Sequence, residues 1–128
     1  MRFFSFSQHS SGGFLDERPE AGIGDIVCIE AADADAANRR AFELGMSFGM
    51  LGECECCGPR WFEAEEMDGM PFPNRYEELI WGASHRGKPC FIHYANGTIE
   101  TVHPGEPAPD GWQQVYLTHI GYQQRKGA

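Results

Sequence analysis

Hydrophobic and polar side chains alternate over residues 2–8, RFFSFSQ, and this period of two predicts a β-strand. Phe4, Phe6 and Gln8 fall on one side of the extended chain, opposite Phe3 and the two serines. The next residues, HSSGG, are rich in serine and glycine and predict a turn or loop. Residues 24–31, GDIVCIEA, predict a second strand, which is apolar on both sides and is therefore expected in the centre of a sheet.

The clearest helix is predicted over residues 34–44, because apolar residues recur there at spacings of three and four. Asp33 or Asp35 is placed to cap its N-terminus, and Gly45 can adopt the left-handed conformation that ends a helix. Two strands followed by this helix predict an α+β fold, in which the helix packs on a small antiparallel sheet. The packed stripe would consist of Ala37, Ala41 and Leu44.

Three further elements are predicted in the second half of the chain. Residues 74–82, NRYEELIWG, have apolar residues at helical spacing and predict one or two helical turns. Residues 88–103 predict a β-hairpin with a type I′ turn at Asn96-Gly97. Residues 113–122, QQVYLTHIGY, predict a last strand.

Length and charge limit the classes of protein that the chain can belong to. Its 128 residues predict a single domain over residues 1–128, with a cysteine-rich loop between the first helix and the later elements. The net charge is −9, which argues against direct binding to DNA or RNA and suits either solubility or the covering of a basic surface. No apolar run is long enough for a signal or membrane segment, so we expect a cytoplasmic protein with reduced cysteines and no membrane partner.

Three of the five cysteines lie close together in GECECCGPRW, residues 52–61. The Cys-x-x-Cys-Gly spacing of Cys54 and Cys57 resembles half of a zinc knuckle, which makes structural zinc the expected cofactor. Cys56 and Cys90 are candidates for the remaining ligands, beside three histidines, although Cys90 and His93 are expected on opposite sides of a strand. Reduced cysteines packed in a core and a thioredoxin-like redox site are the alternatives. The three histidines that could serve as zinc ligands are His85, His93 and His103.

Two polar loops are candidate ligand sites. The QHSSGG loop offers an imidazole, hydroxyls and backbone amides, but it lacks the lysine and the following helix of a phosphate-binding P-loop. Arg60 and Trp61 form a second candidate contact patch, with Trp61 in the core as the alternative. No spacing of residues supports catalysis, so no catalytic residue is assigned. The first loop consists of Gln8, His9, Ser10, Ser11, Gly12 and Gly13.

Four blocks occur along the chain in the order FFSFSQHSSGG, IVCIEAADADAANRRAFELG, CECCGPRW and CFIHYANGTIE. Together they resemble a family of small tailed-bacteriophage proteins with an Asn/Ser-Gly-Gly loop, a Cys-Pro-Cys-Cys-Gly-Asp-Arg-Trp loop and a Tyr-x-Asp-Gly-Thr hairpin. The chain departs from that pattern at Glu55, Pro59 and Asn96, none of which removes a thiol. The resemblance implies an accessory protein of infection that acts in the bacterial cytoplasm, against host defence or on a host enzyme.

The leading hypothesis is a non-enzymatic binder that sequesters a small nucleotide-like ligand or masks a host protein. The nucleotide version needs clustered cations, whereas the masking version needs an exposed acidic face. The alternative is a metal-dependent hydrolase of a nucleotide or small amide, with Glu53, Glu55 or His85 as general base. Exposed strand edges at the N-terminus or in the hairpin would also permit a homo-oligomer. The cations available for a nucleotide are Arg2, Arg60, Arg75, Arg86 and Lys88.

Overall fold

The computed structural model describes residues 1–8, 16–46, 48, 61–82 and 87–126, with side chains described as far as residue 122. It confirms the predicted α+β class, with a four-stranded sheet, a separate two-stranded hairpin and two α-helices. Two short 3-10 turns, Pro19–Ala21 and Glu66–Asp68, lie between these elements. The elements are β1 (Arg2–Ser7), β2 (Ile26–Ala31), α1 (Ala34–Glu43), β3 (Asn74–Arg75), β4 (Glu78–Leu79), β5 (Cys90–His93), β6 (Ile99–Val102) and α2 (Asp110–Lys126).

The four-stranded sheet is mixed rather than purely antiparallel. Its order is β1-β2-β5-β6, and the two outer pairs are antiparallel. The central pair, β2 and β5, is parallel, with Cys28 opposite Ile92, so the antiparallel prediction was wrong for this pair. The long connection through α1 explains the difference, because it returns the chain to start β5 in the direction of β2.

Helix α1 covers one face of the sheet, as its sequence pattern predicted. The side chain of Asp33 caps the helix, with Oδ1 accepting a hydrogen bond from the Ala36 N–H at 2.8 Å. Gly45 follows the last turn with a φ of +91°, which ends the helix at little steric cost. Ala37 and Ala41 have no exposed surface, and they pack against Phe4 and Phe6 of β1 in the first hydrophobic cluster.

A second hydrophobic cluster covers the other face, and α2 takes part in it. Phe3, Cys28 and Cys90 belong to this cluster, and the Trp112 ring lies edge-on to Phe3 at 5.3 Å between centroids. The predicted strand over residues 113–122 was wrong, because this segment belongs to α2. A helical period explains the outcome, since Trp112 and Tyr116 are four residues apart and both contact aromatic rings of the body.

The structure differs from the prediction both at residues 74–79 and in the turn between β5 and β6. Residues 74–79 form β3 and β4 instead of helical turns, joined by Tyr76 and Glu77 with φ of 53° and 73°. Two central residues with positive φ are typical of a type I′ turn. Gly97 alone has a positive φ between β5 and β6, and its N–H donates to the Tyr94 carbonyl. That hairpin therefore has a type I turn followed by a glycine bulge rather than type I′.

The segment from Trp61 to Met70 runs along the outer edge of β1. Met70 forms a bridge with Phe3 of β1, and Trp61 forms a bridge with Gln8, the residue that follows β1. In between, the Asn38 amide of α1 holds Ala64, donating to its carbonyl at 3.0 Å and accepting from its N–H at 2.8 Å. The segment is thus attached to the helix at its middle and to the strand at its ends.

His93 is a buried histidine at the end of β5. Its Nε2–H donates to the carbonyl of Gly22 at 2.7 Å, and its Nδ1 is buried without a partner among the described residues. Gly22 has a φ of +71°, and a Cβ there would meet the imidazole at 2.7 Å. Burial lowers the pKa of His93 from its ordinary value, and the positive charge of Arg40 acts in the same direction.

We predict that Asn38→Ala lowers the free energy of unfolding by about 1–3 kcal/mol, because both backbone groups of the buried Ala64 lose their partner. Arg39→Ala is the matched control, since Arg39 is an exposed neighbour on the same helix. Urea denaturation of both variants measures the difference. Equal stabilities of the two variants would contradict the account of Asn38.

We predict that the protein loses stability as the pH falls below about 6.5, partly because of His93. The unfolded chain binds a proton at His93 near that pH, whereas the folded chain resists it, so acid favours unfolding. His93→Gln should flatten the dependence of unfolding free energy on pH between 7.5 and 5, and the exposed His103→Gln should not. Denaturation curves at several pH values measure the slopes, and the same slope in all three proteins would refute the prediction.

Candidate functional site

A groove of about 460 Å³ lies beside β1, within the range of about 300–1,000 Å³ that is usual for ligand pockets. The residues that follow Trp61 and the turn between β3 and β4 both contribute to its lining. Two serines of β1 complete the lining with short, polar side chains. The lining consists of Ser5, Ser7, Phe62, Glu63, Asp68, Asn74, Tyr76 and Glu77.

The charge of this groove is negative. Glu63, Asp68 and Glu77 contribute carboxylates from three positions along the chain, and the described lining contains no lysine, arginine or histidine. Phe62 and Tyr76 are 50% and 61% exposed, so both rings are accessible to a ligand. Carboxylates together with accessible ring faces favour a cationic ligand over an anionic one.

The acidic turn Glu66–Asp68 is held firmly at one end of the groove. Asp68 accepts a hydrogen bond from the Glu65 N–H at 2.8 Å, and Glu66 accepts one from the Ala34 N–H at 2.6 Å. Glu66 also pairs with Arg2, whose guanidinium lies over the Phe4 ring. The Ala34 N–H and then Arg2 stabilise the charged form of Glu66 and lower its pKa. Arg2 therefore pairs with Glu66 and does not line the groove.

The turn between β3 and β4, which also lines the groove, carries backbone strain. Tyr76 and Glu77 are the non-glycine residues with positive φ in the described chain, and both line the groove. A bulky residue in the left-handed region costs on the order of 1–3 kcal/mol and is retained where the surroundings determine it. The strained turn places one exposed aromatic ring and one carboxylate at the rim.

The outer edge of β1 is open at Ser5, within the groove. Phe3 exchanges two backbone hydrogen bonds with Met70, and the Ser7 carbonyl accepts one from the Phe62 N–H. Alternate residues of a strand point their backbone groups to the same edge, so Ser5 also points outward. No described backbone group pairs with Ser5 at this edge. Between the two bridges, eight residues of the segment face four residues of the strand, so the segment bows outward, and Asn38 bonds its middle.

The two candidate loops of the sequence analysis are joined at their bases. Gln8 and Trp61 form a β-bridge, which places the start of the QHSSGG loop beside the end of the cysteine-rich loop. The Gln8 amide donates to the carbonyls of Asp16 and Gly24 and accepts from the Asp16 N–H at 2.6 Å, so it closes the base of its loop. The rest of that loop, His9, Ser10, Ser11, Gly12 and Gly13, lies outside the described residues.

Trp61 lies in the core rather than in an exposed contact patch. It has no exposed surface and belongs to the cluster under α1. Its Nε1–H points to a carboxylate oxygen of Asp16 at 3.4 Å. The contact-patch prediction was therefore wrong for Trp61, and the core alternative is confirmed. Arg60, the other member of that patch, lies outside the described residues.

Of the four cysteines in the zinc hypothesis, Cys90 alone is described. Cys54, Cys56 and Cys57 lie outside the described residues. Cys90 is buried in the second hydrophobic cluster, where burial raises the pKa of its thiol to about 11. Its neighbour Cys28 is fully buried, with a pKa raised to about 12 for the same reason. The described residues contain no group of three or more metal-ligating side chains.

Three of the cations available for a nucleotide are described, and none of them lines the groove. Arg2 pairs with Glu66, and Lys88 pairs with Glu17 at 3.5 Å. Arg75 lies in β3 opposite Glu78. These three residues therefore supply no cation to the groove for a nucleotide-like ligand, and Arg86 and Arg60 lie outside the description.

Sequence patterns did not identify the groove. The acidic run FEAEEMD at residues 62–68 was a signal for its charge, but nothing in the sequence indicates that this run lies along β1. Tyr76 and Glu77 carry no glycine or asparagine signal for a tight turn. The strand edge and the two acidic elements meet only through tertiary contacts.

Comparison with known proteins identifies the family and nothing finer. No described helix combines the length and hydropathy that a membrane span needs. No curated protein and no solved structure matches the chain. One family model, described as a domain of unknown function, DUF7296, matches residues 1–116. The chain therefore belongs to the DUF7296 family.

Proposed function

We propose that this protein is a non-enzymatic binder that masks a basic surface of a partner protein, and that the acidic groove beside β1 makes the contact. The observation that carries this proposal is the lining of the groove, with three carboxylates, two accessible aromatic rings and no cation among the described residues. A lysine or arginine side chain of the partner satisfies both the charges and the rings.

Electrostatics supports binding of this kind. The whole chain carries a net charge of −9, so a basic partner is attracted from a distance as well as at the site. Complementary charges accelerate encounter and select partners, and their contribution falls as salt is added. The strained turn at the rim supplies one of the carboxylates in a defined position.

The masking version of the binder hypothesis is favoured over sequestration of a nucleotide. A phosphate entering the groove would meet the carboxylates of Glu63, Asp68 and Glu77 without a neutralising cation in the described lining. The same carboxylates would instead attract a basic protein segment. Many basic protein surfaces serve to bind nucleic acid, and an acidic domain can occupy such a surface.

The setting that we propose follows from the resemblance to small tailed-phage proteins. In that setting the partner is a host protein in the bacterial cytoplasm, and masking it counters host defence or redirects a host enzyme. The alternative, a metal-dependent hydrolase, depends on Glu53, Glu55 and His85, which lie outside the described residues. The groove gives this alternative no added support.

The groove predicts selective, salt-dependent binding of basic peptides. In calorimetric titrations, a capped peptide of alternating arginine and threonine should bind, whereas its glutamate counterpart and a panel of cyclic nucleotides should not. Glu63→Lys together with Glu77→Lys should weaken binding at least tenfold, or about 1.4 kcal/mol, because both groove charges are reversed.

The matched control for that variant is Glu20→Lys together with Glu43→Lys. These two exposed acids lie outside the groove lining, and the pair changes the net charge by the same amount. The control should keep the affinity within about threefold, since only long-range attraction is altered. If both double variants lose affinity equally, general charge rather than the groove attracts the peptide, and the proposal fails.

We also propose a structural zinc ion, on the spacing of Cys54 and Cys57 alone. Elemental analysis should then find one zinc per chain, which Cys54→Ser and Cys57→Ser lose together with a lowered melting temperature. Cys90→Ala should keep the metal, because Cys90 packs among the apolar side chains of the second hydrophobic cluster. Unchanged metal content in both serine variants would reject the zinc.

A further inference from the structure

The edge of β1 has a gap at Ser5, between the two bridges, where the backbone of another strand can pair. Residues 4–7 of β1 span the distance between the two bridges, and residues 62–69 span the same distance with twice as many residues. The longer segment bows away from the strand, and its middle is held by Asn38 of α1. The outward N–H and C=O of Ser5 are left without a described backbone partner.

We infer that the partner enters this gap as an extended basic segment, and that one of its residues pairs through its backbone with Ser5. The inference rests on the proposed function and adds the conformation of the bound segment. An extended peptide satisfies the N–H and C=O of an open strand edge, and the pockets beside the edge select its side chains.

The chemistry of the groove specifies the side chains of that segment. Glu63 and Asp68 come from the bowed segment, and Glu77 comes from the hairpin, so two different elements contribute carboxylates to the groove. Ser5 and Ser7 are short, which leaves room above the strand for the incoming chain. Charge complementarity therefore points to lysine or arginine next to the paired residue.

The sheet has a second outer strand with no described strand beside it, and this strand serves as an internal control. β6 is the other outer strand, and the Tyr94 N–H donates to the Thr98 carbonyl at its start. Thr101 therefore points its backbone groups outward, away from β5, as Ser5 does on β1. Thr101 does not belong to the lining of the acidic groove.

Amide hydrogen exchange followed by NMR tests the inference on the wild-type protein. The probe is the capped alternating arginine–threonine peptide, compared with a copy that is N-methylated at alternate residues along one edge. At saturation the unmodified peptide should slow exchange of the Ser5 amide at least tenfold and leave that of Thr101 unchanged. Methylating the edge that pairs with Ser5 should remove this protection and weaken binding at least tenfold.

Ser5→Pro tests the same contact from the side of the protein. Proline removes the outward N–H without touching the bonds that Phe4 and Phe6 make to β2, and outer strands tolerate proline at such positions. We expect Ser5→Pro to reduce peptide affinity at least tenfold, whereas Ser5→Ala, which keeps the N–H, stays within threefold. Thermal unfolding of both variants shows whether each remains folded, and the methylated peptide decides the question if Ser5→Pro does not fold.

The outcomes separate this inference from the proposed function. Binding that depends on Glu63 and Glu77 but gives no protection at Ser5 and no effect of methylation overturns backbone pairing and leaves the acidic groove in place. Protection at Thr101 instead of Ser5 places the peptide at the wrong edge and also overturns the inference. No binding of any basic peptide defeats both.

Discussion

The hydrogen bonds between the Asn38 side chain and the backbone of Ala64 fix the middle of the segment that borders the candidate site. This segment has eight residues between its two bridges, whereas the strand has four, so the two chains cannot pair continuously, and no described backbone group pairs with Ser5 at this edge. Asn38 holds the extra residues against α1, because its amide satisfies both the N–H and the C=O of Ala64.

Local signals predicted the first half of the fold well. Residues that are close in sequence determine these elements: the alternating β1, the apolar β2 and the Asp33 cap of α1. The type of the β5–β6 turn and the strand assigned to residues 113–122 were wrong, because packing selected among conformations that the sequence permits. The four-residue spacing of Trp112 and Tyr116 indicates a helix only once their packing partners, Phe3 and Phe72, are known.

The candidate site was much less accessible to sequence reasoning. Composition predicted an acidic protein, and the masking hypothesis required an acidic face, but the position of that face depends on contacts between distant residues. Ser5 and Glu77 are 72 residues apart and line the same groove. Tyr76 and Glu77 adopt a turn that their residue types disfavour, so no propensity could have located it. For Trp61 the sequence suggested a site that the structure does not contain: this residue follows the cysteine-rich loop, but it lies in the core.

The account joins a sheet edge, a set of carboxylates and two exposed rings into one surface for a basic protein segment. The most direct test is a map of backbone chemical-shift changes as the wild-type chain is titrated with the arginine–threonine peptide at low and at high salt. The account predicts changes centred on Ser5, Glu63 and Glu77 that weaken strongly with salt. Changes centred on another surface, or changes at these residues that are insensitive to salt, would contradict it.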